Sequence, residues 1–155
     1  MDKKIIVTII LNAWQLRNAE SVRLTSDWIE YRMDIFRRYT ARSLLAQTNR
    51  NFDVVVVYAN ESEDFIQKVN SKYPALPSRF HFVPQKLYNK ILINLIKGHE
   101  YFYQVRIDSD DMFRKDYIQC LIDYIPSANT EALILRNGYL YDIENDLLAT
   151  YTKES

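Results

Sequence analysis

The chain predicts a three-layer α/β/α fold around a mostly parallel, mixed sheet. Three observations carry that expectation. Two nearly continuous β-branched runs, Lys4–Leu11 and Phe52–Tyr58, have the pattern of central strands covered on both faces. Segments of helical period separate the strand-like runs, which implies crossover connections and parallel pairing. A strand-like stretch, Tyr101–Ile107, runs directly into the acid cluster Asp108, Ser109, Asp110, Asp111. Carboxylates at the carboxyl end of a strand stand where open α/β sheets bind ligands.

The elements follow in order. Lys4–Leu11 is the first strand; two lysines before an apolar run have the look of a leader peptide, but no small-residue cleavage site follows. Asn12–Ser26 is a polar, irregular connection. Asp27 is the expected N-cap of a helix, with Glu30 at capping-box spacing. Trp28, Ile29, Met33, Phe36, Tyr39, Thr40, Ser43 and Leu44 continue its apolar face. Arg32, Arg37, Arg38 and Arg42 lie off that face and read mostly as a solvated surface. Phe52–Tyr58 is the second strand, and Glu63–Tyr73 a short helix ended by Pro74. Arg79–Val83 is the third strand. Lys86–Lys97 is an amphipathic helix with Gly98 placed as its C-cap. Tyr101–Ile107 reads as a buried fourth strand. A helix is expected from Met112 to about Ile125. Asn137–Gly138, between Glu131–Arg136 and Tyr139–Ile143, signals a two-residue hairpin, and Leu147–Tyr151 a further short strand after the polar turn Asp142–Asp146.

Composition bounds the function. With 155 residues the chain is expected to form one domain, 1–155. Twenty basic and twenty acidic residues cancel, so nothing draws the chain globally to nucleic acid or an anionic membrane. No stretch approaches the roughly 20 apolar residues of a transmembrane helix. One cysteine excludes an internal disulfide and fits a cytoplasmic setting. Cys120 itself reads as a small core residue rather than a nucleophile.

Clustered carboxylates repel one another, and a hard divalent cation relieves the repulsion. Mg2+ or Mn2+ takes one or two protein carboxylates and completes its shell with water and substrate phosphates. The acids therefore read as a metal–diphosphate site. A second reading, compatible with the first, is that they cap the following helix. Other metal and phosphate motifs fail. Counted from Asp108, the calcium-loop positions for Gly and Glu hold Phe113 and Gln119. Only Gly98 and Gly138 exist, so there is no glycine-rich phosphate loop. Cys120, His81 and His99 do not form a zinc cluster.

Two segments carry a resemblance, DWIEYRMDIFRRYTARSLLAQTNRNFDVVVVY (Asp27–Tyr58) and YFYQVRIDSDDMFRKDYIQCL (Tyr101–Leu121). With Trp28, Arg32, Phe36, Ser43-Leu44, Gln47-Thr48, Phe52, Arg106 and Asp108-Ser109-Asp110-Asp111, the chain resembles a glycosyltransferase of the GT-A fold. More narrowly it resembles the bacterial rhamnosyl transferase family, and Asn137-Gly138-Tyr139 also fits. The resemblance implies metal-dependent transfer of a sugar from a nucleotide-diphosphate donor (UDP-, dTDP- or GDP-linked) to a saccharide acceptor. It implies that Asp110 ligates Mn2+ or Mg2+, that Asp108 holds the donor ribose or a metal-bound water, and that Asp111 supports either. Arg106 would orient Asp108 or meet the diphosphate, or else serve as a salt-bridge partner. Asn12 and Arg17 are candidates for base or phosphate contacts. Asn60 is the substitute for the acid that such enzymes often carry after the second strand. No catalytic base is evident after Asp111, where Glu131, Asp142 and Glu144 read as surface acids. GT-A enzymes usually extend further, so the chain is expected to be either a donor-binding part or a shortened member. The alternatives to a transferase are a nucleotidyl transferase, disfavoured because Asn12–Ser26 holds no glycine, and a catalytically incomplete domain that binds nucleotide or a protein.

Overall fold

The computed structural model describes residues 2–14 and 20–153, with the backbone alone at positions 20 and 21. It divides into two compact units, Met1–Asp123 and Tyr124–Ser155.

In the first unit four strands form one parallel sheet: β1 (Lys3–Ile10), β2 (Asp53–Tyr58), β3 (Phe80–Pro84) and β4 (Tyr101–Asp108), in the order β3-β2-β1-β4. Between β1 and β2 run α1 (Glu20–Arg23), α2 (Ser26–Ile35), a π-helical turn (Phe36–Thr40) and α3 (Ala41–Leu45). Between β2 and β3 lie a 3-10 turn (Asn60–Ser62) and α4 (Glu63–Asn70), and between β3 and β4 a 3-10 turn (Gln85–Leu87) and α5 (Tyr88–Ile96). The unit ends with α6 (Tyr117–Asp123).

Successive strand residues point to opposite faces, so a strand covered on both must be apolar throughout. Val54, Val55, Val56 and Val57 are accordingly all fully buried. On one face Ile5, Val7, Ile9, Val54, Val56, Val105 and Ile107 pack with Ile29, Met33, Phe36, Leu44, Ile66 and Ile118 from the helices. On the other, Ile6, Val55, Val57 and Val83 pack with Tyr88 and the apolar side of α5. The expected three-layer α/β architecture of GT-A type is present. The antiparallel component is a separate sheet in the second unit rather than part of the parallel one.

Several expectations are corrected. Thr25, not Asp27, caps α2: its hydroxyl accepts from the Trp28 amide at 3.4 Å. The strand β4 is not buried throughout. It lies at the sheet edge among the described residues, with Val105 and Ile107 inside and Phe102, Gln104, Arg106 and Asp108 outside. The sixth helix starts at Tyr117, not Met112. Phe113 and Tyr117 stack at 4.1 Å across the irregular segment before it, so an apolar pair at helical spacing imitates an extra turn. Cys120 is exposed, because Ile118 and Leu121 take the inward face of α6.

The second unit is a hairpin of β5 (Asn137–Asp142) and β6 (Leu147–Thr152). Asn137–Gly138 is inside β5, not at its turn, and Glu131–Arg136 forms no strand. The turn is set instead by Asp142, whose carboxylate accepts from the Glu144 and Asn145 amides, with Asp146 at φ 52°. These hydrogen bonds, the Asn145 side chain first, hold the Asp142 carboxyl below its usual range, as befits a turn-forming acid.

Candidate active site

In a sheet ordered β3-β2-β1-β4, the connection after β1 leaves toward β2 while β4 lies on β1's other side. The chain order therefore switches between β1 and β4, and ligands of open parallel sheets bind at the carboxyl ends beside such a switch. The register places Ile10 of β1 opposite Asp108 of β4, at that point. Asp108, Ser109, Asp110 and Asp111 thus leave the sheet beside Leu11–Trp14.

The acids do not cap α6. Residues 112–116 intervene, and the amide of Ile118, in the first turn, is instead capped by the side chain of Gln47 at 3.1 Å. The same glutamine donates to the Arg114 carbonyl at 2.9 Å and to that of Ser43 at 3.1 Å. The Ser43 hydroxyl accepts from the Phe113 amide at 3.2 Å, and the Thr48 amide donates to the Lys115 carbonyl at 2.8 Å. Ser43, Gln47 and Thr48 are the polar positions of S-L-x-x-Q-T. Their work is to hold the main chain that follows the acids.

The acid loop is also held from α2. Arg32 Nη1 donates to Asp110 Oδ2 at 3.0 Å, and its guanidinium lies 5.8 Å from the Trp28 ring centroid, within cation–π range. Trp28 and Arg32 are one helical turn apart, so both meet on one side of α2. Arg32 was grouped with a solvated arginine face from sequence; its i, i+4 spacing from Trp28 was the available signal. Asp111 is pushed above the ordinary carboxylate range by burial, then by the charges of Asp110 and Asp108, with Arg32 pulling back. The Ser109 hydroxyl is fully buried without a hydrogen-bond partner among the described residues.

The other expected site residues fall as follows. Arg106 is exposed on β4, on the same side as Asp108, with no ion pair among the described residues. Asn12 is buried, and its amide is committed internally: Oδ1 accepts from the Ala59 amide at 2.9 Å, and Nδ2 donates to Ser62 Oγ at 2.8 Å and the Arg23 carbonyl at 3.1 Å. It ties the ends of β1 and β2 to α1. Asn60 is at the same rim, after β2, and accepts from the Lys86 amide at 2.9 Å. Arg17 lies outside the described residues. Trp14, not singled out from sequence, has φ 41°, rare for a bulky side chain. Its amide donates to Gln85 Oε1 at 3.0 Å and its ring meets Tyr88 edge-on at 5.3 Å, leaving it 41% exposed at the rim.

A family model described as "Putative rhamnosyl transferase" matches residues 12–153. The chain belongs to this family. The match reaches into both units and includes the acids Asp108, Asp110 and Asp111 and the residues Arg32, Ser43, Gln47 and Thr48. No curated protein and no solved structure matches the chain. No described helix of this rhamnosyl transferase-family chain is long and apolar enough to cross a membrane.

The donor set fits a hard cation, being carboxylate oxygen only, with Asp108 and Asp110 close enough to raise the Asp111 carboxyl further after burial. Among the described residues no three acid, imidazole or thiol side chains converge into a ready metal cage. A Mg2+ or Mn2+ site of one or two carboxylates completed by water and diphosphate requires none.

Proposed function

We propose that the chain transfers a sugar, with rhamnose the first candidate, from a nucleotide-diphosphate donor to a saccharide acceptor. The observation that carries this reading is the acid loop at the β1/β4 switch point, held by Arg32 of α2 while Gln47, just after α3, caps α6 in place of the acids. Asp110 and Asp108 would hold Mn2+ or Mg2+, with Asp111 beside them. When bound, the metal supplies positive charge to the diphosphate as the glycosidic bond breaks. Arg106, exposed and without an ion pair among the described residues, is available to the phosphates from β4. Trp14 offers an aromatic face at the same rim. Asn12 fixes the rim rather than touching ligand, since its amide is used internally.

Titration calorimetry of UDP, dTDP and GDP, with Mn2+ and with chelator, tests the reading on the chain and on Asp110→Ala. Metal-dependent binding of one nucleotide, lost in Asp110→Ala, supports it. Binding of none under either condition would overturn it in favour of a catalytically incomplete domain.

A further inference from the structure

We infer that Arg32 is an exchangeable counter-ion of the acid loop: it holds Asp110 when the site is empty and turns to the donor's diphosphate when a divalent cation takes Asp110. The inference rests on the reading of Asp110 as a metal ligand.

Arg32 Nη1 and Asp110 Oδ2 are joined at 3.0 Å across 78 positions of sequence. Oδ2 is the oxygen so occupied, so a cation that takes Oδ2, or both oxygens of Asp110, displaces the guanidinium. The pair is only partly shielded, the two side chains being 26% and 47% exposed, which makes it weak enough to exchange. The arginine also keeps an unused donor. Its Nε is buried and has no hydrogen-bond partner among the described residues. A guanidinium presents five donors in a planar fork that matches phosphate oxygens in pairs. Arg32 spends one on Asp110 and leaves its buried Nε unspent. The guanidinium lies 5.8 Å from the Trp28 ring centroid, a contact that does not consume its N–H donors.

The exchange accounts for both charge states of the site. In the empty chain Arg32 offsets part of the repulsion among Asp108, Asp110 and Asp111. In the filled site the cation takes over that task, and the released guanidinium meets the anion that arrives with it. A purely structural Arg32 would stabilise the loop in both states alike.

The two roles differ in sign, and the test uses that difference. Mn2+ alone, followed by electron paramagnetic resonance of the free ion, should bind Arg32→Met about two- to fivefold more tightly than the unsubstituted chain, because its competitor for Asp110 is gone. The metal-dependent nucleoside diphosphate found by calorimetry should bind Arg32→Met about tenfold to a hundredfold more weakly, the worth of a charge-assisted hydrogen bond. Arg32→Lys, which keeps the charge and loses the fork, should fall between. Circular dichroism verifies that both variants are folded. If Arg32→Met weakens Mn2+ and diphosphate together, or leaves diphosphate affinity unchanged, the exchange is refuted while the donor reading stands. If the unsubstituted chain binds no diphosphate with metal, the donor reading fails first and the exchange falls with it.

Discussion

Replacing Gln47 with leucine should destabilise the chain by about 2–3 kcal/mol, although the two side chains differ little in volume. Gln47 is 3% exposed and makes three hydrogen bonds, two of them to the segment after the acid loop. The Arg114 carbonyl keeps a second partner in the Tyr117 amide at 3.0 Å, so its loss is modest, about 1 kcal/mol. The Ile118 amide has no such reserve. It lies in the first turn of α6, where helical amides lack an intrahelical acceptor, and stranding it costs about 1–3 kcal/mol. Burying the leucine methyl groups offsets part of the sum. With a urea slope of about 2 kcal/mol/M, the unfolding midpoint should fall by about 1–1.5 M. Hydrogen exchange at the Ile118 amide should quicken by more than at amides of β2, because the lost cap is local. A midpoint change below about 0.3 M, or unchanged protection at Ile118, would refute the view that Gln47 holds the segment.

Two further outcomes follow from the charges. Asp53 has its carboxyl lowered below the ordinary value: burial opposes this, but hydrogen bonds from Lys4 and His81 outweigh it, the latter at 2.7 Å. A depressed carboxylate stabilises above its unfolded-state pKa and loses that contribution as pH falls through its folded value, so Asp53→Asn should lower stability at neutral pH and approach the unsubstituted chain below about pH 4 in a urea series. Asp111 is raised by burial and by its two acidic neighbours, so Asp111→Asn should raise Tm at neutral pH by about 1–2 °C, worth about 0.5 kcal/mol after solvent screening, while weakening metal-dependent nucleotide binding. A Tm that falls in Asp111→Asn would show that the carboxylate is structurally required.

The central strands were legible because burial on both faces demands an unbroken apolar run, and Lys4–Leu11 and Phe52–Tyr58 supply one. The position of the acids at a strand end was legible because the aromatic and β-branched residues of Tyr101–Ile107 precede them, although β4 is an edge strand buried only at Val105 and Ile107. What the sequence concealed were contacts between distant segments. The cap of α6 is 71 positions away in Gln47, and the partner of Asp110 is 78 away in Arg32, so no local pattern announces either. Local signals also misled where a competitor was stronger. Asn137–Gly138 has the chemistry of a tight turn, but the Asp142 carboxylate organises a turn of its own five residues later. In sequence Gln47 is a letter of a motif, and Arg32 is that and one of a row of solvated arginines; their purpose is visible once α2 and the segment after α3 are seen to hold the acid loop and the chain that follows it.

The grip on that loop has a consequence for how the chain tolerates change. Ser43, Gln47 and Thr48 hold main-chain amides and carbonyls of Phe113, Arg114, Lys115 and Ile118, not their side chains. Any residue with an ordinary backbone offers the same groups at positions 114 and 115, where both side chains are exposed. A library randomised there should retain most of its folded members, whereas one randomised at 43 and 47 should not. Variation in this part of the surface is thus separated from the geometry of the acids, and the loop's periphery can be rewritten without moving Asp108 or Asp110.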